Sequence, residues 1–391
     1  MNTEWKKVQL KDCVTILGDG LHGTPKYTED GEYAFINGNN LVDGSIKIKP
    51  DTKRVSKEEY EKYKKPLSDR TVLVSINRTL GNVAIYNNEK IILGKSACYF
   101  NVIDEVDKLF IKYIVSSPLF KDYLNVSATG TTIKNISLKQ MREFDFFLPP
   151  IKLQQKIASI LSSLDEKIAV NNKINNNLHH QMQILYNSWF KDYEPFNGIM
   201  PLDWKEDEIY SIANIIYGAP FSSKLFNTYK KGKPIVRIRD LKSAELPTYT
   251  TEIHPKGYWI KAGDIIVGMD GEFRPYIWGN ENAWLNQRIC VFQNKRPLGK
   301  AFLYFTIKPL LTAVELTEVA TTVIHIGKHD FDGFRINLPT TEILDRFDKI
   351  TSPMFETIVV NQLENRKLAT LRNSILPKLM SGELDVSEID I

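Results

Sequence analysis

Cysteine is scarce in this chain, and long apolar runs are absent. The 391 residues include three cysteines, Cys13, Cys98 and Cys290, which are isolated from one another in the sequence. An odd, widely spaced set fits buried thiols in a reducing cytoplasm better than disulfides or a metal site. The N-terminal stretch MNTEWKKVQLKDC has no apolar core of a signal peptide, and no run approaches the ~18 apolar residues of a membrane span. We therefore expect a cytoplasmic protein with no membrane partner.

Motifs for catalysis are also missing from the sequence. No glycine-rich motif for S-adenosylmethionine is visible, and neither is a serine or cysteine nucleophile motif. The six histidines do not have the spacing of metal ligands. One acidic set, Asp264, Asp270 and Glu272 in GDIIVGMDGEFR, could hold a metal ion for hydrolysis, although Glu272 has no lysine partner nearby in the sequence. The sequence thus favours binding over catalysis, with a single-chain metal-dependent DNA nuclease as the alternative.

Charge gives only weak guidance about partners. The formal net charge is +4, which permits a nucleic-acid partner without arguing for one. Apolar residues make up 42% and charged residues 25% of the chain, a composition typical of globular proteins. A length of 391 residues predicts two or three domains.

The chain repeats one plan twice. The stretch YAFINGNNL from Tyr33 is similar to KPIVRIRDL from Lys233, and SACYFNV from Ser96 is similar to RICVFQN from Arg288. An "LP" pair at Leu148 returns at Leu338 and is followed each time by a long apolar-periodic stretch. The offset between matches falls from 200 to 190, as loop deletions in the second copy would produce. An ordered set of matches of this kind indicates an internal duplication.

Each copy consists of a globular part and then a long helix. Short β-like runs, turn signals and brief helical segments in the globular parts predict an α+β class. We predict two similar α+β domains separated by a pair of long antiparallel coiled-coil helices, related by an internal pseudo-twofold repeat. The predicted segments are 1–150 for the first globular domain, 151–196 for the central helix and linker, 197–338 for the second domain, and 339–391 for the C-terminal helix.

The long helices carry an apolar seam with 4-3-4-3 spacing, which is the pattern of a coiled coil. Asparagines recur at the same two seam positions in both copies, where they would weaken the coil but fix its register. We expect Pro377 to end the second helix early. The alternative is that each helix packs only on its own domain. The predicted seam residues are Ile157, Leu161, Leu164, Ile168, Asn171, Asn175, Leu178, Met354, Ile358, Asn361, Asn365 and Leu368.

These features resemble a known family. Two globular regions, each followed by a motif of the form LPPxxxQxxIxxxLxxLDxxI, are similar to the specificity subunit of type I restriction-modification systems. The motif residues include Leu148, Pro149, Pro150, Ile157, Leu161, Leu164, Asp165 and Ile168. The stretches AGDIIV from Ala262 and ATGTTIKNIS from Ala128 support the resemblance, which covers the whole chain. The second copy of the motif is eroded, with Thr340 in place of the second proline.

The resemblance implies a DNA-reading, non-catalytic subunit of a phage-defence complex. Each globular part would be a target recognition domain for one half of a bipartite site in double-stranded DNA. The helices would set the spacer and dock two modification subunits, which bind S-adenosylmethionine and methylate adenine. Restriction motor-nuclease subunits that use ATP and magnesium would then join, so this chain itself needs no cofactor. A coiled-coil scaffold without nucleic acid is a third possibility, and salt-dependent binding to duplex DNA separates it from the first.

Loop residues of both globular parts are the candidates for DNA contact, since lysine and arginine bind phosphates and polar side chains read bases. Arg237 and Arg239 match Asn37 and Asn39 across the repeat, and alternation along a strand would place each pair on one face. The candidates in the first part are Lys26, Tyr27, Asn37, Asn39, Asn40, Asn77, Arg78, Thr79, Lys95, Thr131, Thr132 and Lys134. Those in the second part are Ser222, Ser223, Lys224, Arg237, Arg239, Asp240, Asp270, Glu272, Arg274, Asn286, Gln287, Arg288, Thr322 and His325.

Overall fold

The computed structural model describes residues 5–129, 134–243, 245–317 and 324–389. It divides into two compact units. The first unit takes the chain up to Glu166 and again from Ala369, and the second takes Lys167–Leu368. Each unit therefore combines one globular part with a stretch of both long helices. The boundaries between the compact units therefore fall inside the two long helices. The boundaries predicted from the sequence divide the chain differently, into consecutive segments, and stay a prediction.

The first globular part mixes short strands with short helices. Its elements in chain order are β1 (Lys6–Gln9), β2 (Val14–Asp19), β3 (Tyr33–Ile36), β4 (Leu41–Val42), β5 (Ser45–Ile46), β6 (Arg54–Val55), α1 (Lys57–Tyr63), β7 (Thr71–Ser75), β8 (Val83–Ile85), β9 (Ile91–Leu93), β10 (Ala97–Val102), α2 (Lys108–Ile114), α3 (Pro118–Ser127), α4 (Leu138–Arg142) and β11 (Asp145–Leu148). The long helix α5 (Ile151–Phe190) follows.

The second globular part has the same character. Its elements are β12 (Lys205–Glu208), β13 (Ala213–Tyr217), β14 (Phe226–Asn227), β15 (Lys233–Val236), β16 (Tyr249–Thr250), β17 (Trp259–Ile260), β18 (Ile265–Gly268), β19 (Pro275–Ile277), β20 (Ala283–Leu285), β21 (Ile289–Asn294), α6 (Lys300–Thr317), α7 (Lys328–Asp332) and β22 (Arg335–Leu338). The second long helix, α8 (Thr341–Ser381), follows.

Sheet topology repeats between the two parts. A four-stranded antiparallel sheet has the order β2-β10-β7-β8 in the first part and β13-β21-β18-β19 in the second. A two-stranded ladder, β1 with β11 or β12 with β22, closes each part immediately before its long helix. A short parallel pair, β3 with β9 or β15 with β20, also recurs. The duplication inferred from the sequence is thus a duplication of architecture.

Local sequence explains where the shorter helices begin. The Asp107 carboxylate accepts a hydrogen bond from the Phe110 backbone N–H at 2.7 Å and so caps α2. Ser117 precedes Pro118 and caps α3, whose first position suits a proline because no intrahelical donor is needed there. Gln154 fixes the start of α5, since its side chain accepts from the Asp107 N–H and donates to the Pro149 carbonyl.

The sheets and helices of each unit enclose a large apolar core with smaller apolar clusters beside it. Phe100, Phe110 and Leu161 belong to the first core, and Phe292 and Phe347 belong to the second. All three cysteines are buried free thiols, as the sequence predicts. Burial raises the pKa of the Cys13 thiol to about 12 and moves the pKa of Cys98 and Cys290 in the same direction.

The long helices run antiparallel, as their contacts within the second unit show. In the first unit Asp165 of α5 meets Arg372 of α8 at 2.5 Å. In the second, the Asn171 side chain donates to Oδ1 of Asn365 at 2.9 Å, and the Asn361 side chain donates to Oδ1 of Asn175 at 2.8 Å. Partner numbers fall on one helix as they rise on the other, so the two segments point in opposite directions.

Seam positions are buried or half-buried along both helices. Ile157, Leu161, Asn171, Asn175 and Ile358 are buried. The half-buried positions are Leu164, Ile168, Leu178, Met354, Asn361, Asn365 and Leu368. α5 is 40 residues long, which corresponds to about 60 Å at 1.5 Å per residue.

The prediction that Pro377 ends the second helix is wrong, because α8 continues to Ser381. A proline removes one hydrogen bond inside a helix. Leu376, Leu379 and Met380 around it are buried in the core of the first unit. Burial of these three side chains offsets the lost bond and extends the helix past the proline.

Candidate nucleic-acid interface

Two equivalent backbone corners are the centre of the candidate interface. In the first unit an isolated antiparallel bridge joins Asn77 to Asn135, and the Ile76 N–H donates to the Ser96 carbonyl at 3.0 Å. In the second unit the same bridge joins Asp270 to His325, and the Met269 N–H donates to the Arg288 carbonyl at 2.8 Å. We name these the first corner (Asn77, Ser96, Asn135) and the second corner (Asp270, Arg288, His325).

Each corner gathers three chain segments of the same kind. One segment leaves β7 or β18, one is the turn between β9 and β10 or between β20 and β21, and one precedes α4 or α7. The last segment is held when the Ile136 N–H donates to the Ile76 carbonyl, or the Ile326 N–H to that of Met269. The two corners thus share the same backbone hydrogen bonds but carry different side chains. This is the arrangement expected of two loop surfaces that recognise different targets.

The side chains of the two corners differ in charge. Asn77 and Asn135 are neutral carboxamides, with Nδ2 of Asn77 3.5 Å from Oδ1 of Asn135. In the second corner Nδ1 of His325 lies 2.7 Å from Oδ1 of Asp270. Nη1 of Arg288 lies 3.4 Å from the same carboxylate oxygen and 3.2 Å from Nδ1 of His325. The second corner is therefore an ionic cluster where the first is an amide pair.

A short 3₁₀ turn follows the parallel strand in both units. The Asn37 N–H donates to the Asn40 side chain at 3.0 Å, and the Arg237 N–H donates to the Asp240 carboxylate at 3.0 Å. Asn40 and Asp240 are buried, and Asn40 also donates to the Lys47 carbonyl. Their side chains are thus used to build the turn, which leaves little of them for DNA.

The expectation that Arg237 and Arg239, like Asn37 and Asn39, lie on a strand is wrong. In the first unit β3 ends at Ile36, and Asn37 precedes the 3₁₀ turn Gly38–Asn40. β15 ends at Val236, and Arg237 precedes the 3₁₀ turn Ile238–Asp240. Nε of Arg237 is 3.3 Å from the Asp240 carboxylate, whereas Arg239 is exposed. The buried Asp240 cap turns the chain after Val236, so strand alternation does not apply and Arg239 is the freer of the two arginines.

Hydrogen bonds connect the 3₁₀ turn of the first unit, Gly38–Asn40, to the first corner. Oγ of Ser96 accepts from the Gly38 N–H at 2.9 Å and donates to Oδ1 of Asn37 at 2.9 Å. Only glycine fits at position 38, since a Cβ there would lie 2.0 Å from Oγ of Ser75. Asn37 and the corner residues consequently share one surface.

In each unit one glycine packs closely against the backbone of the turn that carries Lys95 or Gln287, and this contact fixes the turn. A Cβ at Gly20 would lie 2.2 Å from the Leu93 carbonyl oxygen, and one at Gly218 would lie 1.9 Å from that of Asn286. The Lys95 N–H donates to the Leu21 carbonyl and the Gln287 N–H to the Ala219 carbonyl. Both side chains project into solvent from these turns.

The remaining candidates are mostly exposed. Lys26 and Ser222–Lys224 lie in the loops that follow β2 and β13, away from the corner segments in sequence. Arg274 pairs with Glu272 and Glu315, which reduces its positive field. The exposed candidates are Lys26, Tyr27, Asn39, Arg78, Thr79, Lys95, Lys134, Ser222, Ser223, Lys224, Arg239, Glu272, Arg274, Gln287, Arg288 and His325. The half-buried ones are Asn37, Asn77, Arg237, Asp270 and Asn286, and Thr131, Thr132 and Thr322 lie outside the described residues.

Sequence reasoning missed Ser96 and Asn135 as members of the corner. A signal for Asn135 was available, because TTIKNI from Thr131 and TTVIHI from Thr321 align at the offset of 190 and pair Asn135 with His325. Ser96 aligns with Arg288 in the same way at offset 192. Reading the repeat for dissimilar residues, as well as for similar ones, would have found both.

The proposed nuclease carboxylates do not converge. Asp264 accepts from the Lys261 N–H at 2.8 Å and is buried enough to raise the pKa of its carboxyl. Asp270 faces Arg288 and His325, while Glu272 pairs with Lys242 at 2.9 Å. Within 5–129, 134–243, 245–317 and 324–389, no group of three or more His, Cys, Asp or Glu side chains is placed to hold a metal ion. The nuclease alternative has no structural support.

Comparison with known proteins identifies the family. The model of the type I restriction modification DNA specificity domain matches residues 2–180 and 201–372, one match for each copy of the repeat. The chain belongs to this family. The type I restriction enzyme MjaIX specificity subunit of Methanocaldococcus jannaschii is 25% identical over 99% of this chain and 95% of its own length. The EcoBI specificity subunit of Escherichia coli is 30% identical over 52% of this chain and 45% of its own length.

The fold agrees with that of a solved family member. The crystal structure of a type I restriction-modification system S subunit from M. genitalium superposes with a TM-score of 0.58 at 18% identity, covering 99% of this chain and 98% of that one. The α+β class, the duplicated recognition domains and the paired long helices are therefore those of specificity subunits. In the part of the chain that the structure describes, no helix is both long and apolar enough to cross a membrane.

Proposed function

We propose that this specificity subunit reads a bipartite site in double-stranded DNA, with one globular part for each half. The observation that carries the proposal is the pair of equivalent corners: one backbone framework presents amides in one copy and an ionic cluster in the other. Two readers with a common scaffold and different side chains suit two different half-sites. Exposed Lys95 would contact a phosphate beside the first corner, and the corner side chains and exposed Arg239 would contact base edges.

The chain acts without chemistry of its own in this proposal. Two modification subunits would bind S-adenosylmethionine and methylate adenine, and restriction motor-nuclease subunits would use ATP and magnesium in the cytoplasm. Specificity would come from hydrogen-bond donors and acceptors in the major groove, where every base pair presents a distinct pattern. The long helices would set the length of the unread spacer and provide the docking surface for the modification subunits.

Methylome sequencing tests the division of labour. In cells with the modification subunits, Asn77→Ala should change only one half of the methylated motif and Arg239→Ala only the other, since each residue belongs to one unit. Lys7→Ala and Lys205→Ala are matched controls, because both lysines are exposed on the equivalent ladders β1 and β12. Changes in both halves from a single substitution would contradict separate readers.

The purified chain tests the non-catalytic role. It should bind duplex DNA with an affinity that falls steeply with salt. It should neither transfer methyl groups from S-adenosylmethionine nor cut DNA with magnesium until the partner subunits are added. Methylation or cleavage by the chain alone would show that it is an enzyme, and the absence of any salt-dependent DNA binding would favour a scaffold.

A further inference from the structure

Arg288 is held in place by both its side chain and its backbone. Its Nη1 contacts the Asp270 carboxylate and the His325 ring, while 54% of its side chain stays exposed. Its backbone φ is 70°, in the left-handed region that residues with a side chain seldom occupy. The equivalent Ser96 uses its hydroxyl inside the protein. The second unit therefore tolerates backbone strain at the one position that displays a guanidinium from the corner.

Asp270 makes a phosphate an unsuitable target for this arginine. A phosphate that approached Arg288 would come close to the Asp270 carboxylate, and like charges at short range repel. The edge of a base carries no net charge and avoids this repulsion. Asp270 occupies one side of the planar guanidinium and leaves other N–H donors free in a fixed plane. That geometry matches the O6 and N7 acceptors of guanine, the commonest specific contact of arginine in DNA.

We propose that Arg288 reads a guanine in the half-site contacted by the second unit, and that Asp270 is the positioning residue that holds its guanidinium. His325 supports Asp270 from the opposite segment, at 2.7 Å. This inference rests on the proposed function and adds which residue reads a base and which base it reads. The first corner has no arginine among its three residues and offers carboxamides in its place.

The test is selection of bound DNA from a library in which the second half-site is randomised. The full chain is used together with its modification subunits, as wild type and as four variants. Arg288→Lys keeps the charge but removes the planar fork, and Arg288→Gly suits the left-handed backbone, so its effect does not come from backbone strain. Asp270→Asn removes the positioning charge. Arg335→Lys is the matched control, because Arg335 is a similarly exposed arginine of the same unit, paired with Glu208 at 3.3 Å.

Arg288→Lys should weaken the preference for one guanine about tenfold or more and leave the salt dependence of binding unchanged. Arg288→Gly should lose the same preference without a lower melting temperature. Asp270→Asn should weaken that preference as well, at unchanged thermal stability, which a purely structural role would not produce. Arg335→Lys should select the wild-type motif.

Other outcomes would overturn the inference in distinguishable ways. A uniform loss of affinity in Arg288→Gly, with a salt slope lower by about one unit and the wild-type preference kept in Arg288→Lys, would make Arg288 a phosphate contact. An unchanged guanine preference in Asp270→Asn would remove the positioning role. If the wild-type complex selects a defined second half-site while every Arg288 variant selects the same motif, only this inference fails. If the wild type selects no sequence, the proposed function fails with it.

Discussion

Arg78 occupies a left-handed backbone conformation, with φ 60°, next to the first corner. The equivalent residue of the second unit is Gly271, with φ 78°, which adopts that conformation without strain. Residues kept in strained conformations cluster at functional sites. The exposed side chain of Arg78 is therefore a better candidate for DNA contact than its neighbours on ordinary backbone.

We predict that Arg78→Gly stabilises the protein and weakens its binding to DNA. Relief of the left-handed strain is worth about 1 kcal/mol, reduced by the greater freedom of glycine in the unfolded chain, so we expect a gain of roughly 0.5 kcal/mol. Denaturant unfolding and DNA titration measure the two effects. Asn88→Gly is the control, since Asn88 has φ 61° in another turn and asparagine tolerates this region. Equal DNA affinity of wild type and Arg78→Gly would exclude Arg78 from the interface.

At the scale of elements, polar groups fix how α5 and α8 pair. In the second unit Asn171 donates to Asn365 and to Glu364, and Asn365 donates to Asn172 at 2.9 Å. In the first unit the Asp165 carboxylate accepts from Lys112, Tyr113 and Arg372. Each unit therefore has its own set of polar contacts that fixes the helix register. We call them the asparagine lock, formed by Asn171 and Asn365, and the Asp165 lock. Any slip of one helix along the other would leave buried groups without partners, at a cost of about 1–3 kcal/mol for each.

The asparagine lock predicts that a double substitution is less harmful than a single one. Asn171→Leu should lower the free energy of unfolding by about 1–3 kcal/mol, because Asn365 loses a partner in the seam. Adding Asn365→Leu should recover most of that loss. Glu364 keeps Lys167 at 3.3 Å and Asn172 is exposed to water, so the double variant leaves neither former partner buried without a contact. Denaturant unfolding measures both, and a further loss in the double variant would show that the asparagines do more than satisfy one another.

The Asp165 lock predicts an acid-sensitive contribution to stability. Burial alone would raise the pKa of Asp165, but Lys112, Arg372 and Tyr113 hold the pKa below its ordinary value. Its contribution is thus fully present above the unfolded pKa of about 3.9 and is lost as the pH falls through the lower folded pKa. Asp165→Asn should destabilise the protein by about 3 kcal/mol at neutral pH, as breaking a buried pair does. The difference from wild type should shrink below about pH 4.

A surface aspartate provides the control for this pH effect. Asp145 also has a lowered pKa, caused by hydrogen bonds from Gln9 and Lys7, but it lies on the surface. Asp145→Asn should cost at most about 1 kcal/mol, because solvent screens exposed pairs. Unfolding free energies of the wild type and both variants, from pH 7 down to the lowest pH at which the protein stays folded, decide the matter. A pH-independent difference for Asp165→Asn would mean that packing, not charge, makes this residue important.

For the whole molecule, both long helices run through the boundary between the compact units, at Glu166–Lys167 and at Leu368–Ala369. Inserting residues at both places lengthens the pair without disturbing either register lock. Four residues in each helix add about 6 Å and about 400° of rotation, which returns the seam to within about 40° of its former facing. Coiled coils absorb such four-residue insertions by local unwinding.

We predict that the paired four-residue insertion lengthens the unread spacer by one or two base pairs and leaves both half-sites unchanged. The added 6 Å is a little under two base pairs at about 3.4 Å each. A paired two-residue insertion rotates the seam by only about 200° and should abolish modification. Methylome sequencing of both variants is the measurement. An unchanged spacer after four residues, or normal modification after two, would show that the helices do not set the spacer.

The sequence by itself determined the duplication, the α+β class and the presence of two paired long helices. These features follow from local periodicity and from the order of matches along the chain. Both patterns can be read from the sequence without knowledge of tertiary contacts. The seam of α5 is an example, since its 4-3-4-3 spacing can be counted on the printed sequence from Ile157 to Leu178.

Only the tertiary structure decided where the corners lie and what each side chain is free to do. Asp240 looks like a neighbour of two strand arginines in the sequence, but its buried carboxylate caps the chain and turns Arg237 away from the strand. Pro377 reads as a helix stop, but core burial around it carries α8 past it. Asp270, Arg288 and His325 meet although up to 55 residues separate them in the chain. Such contacts depend on non-local strand pairing, which no local pattern encodes.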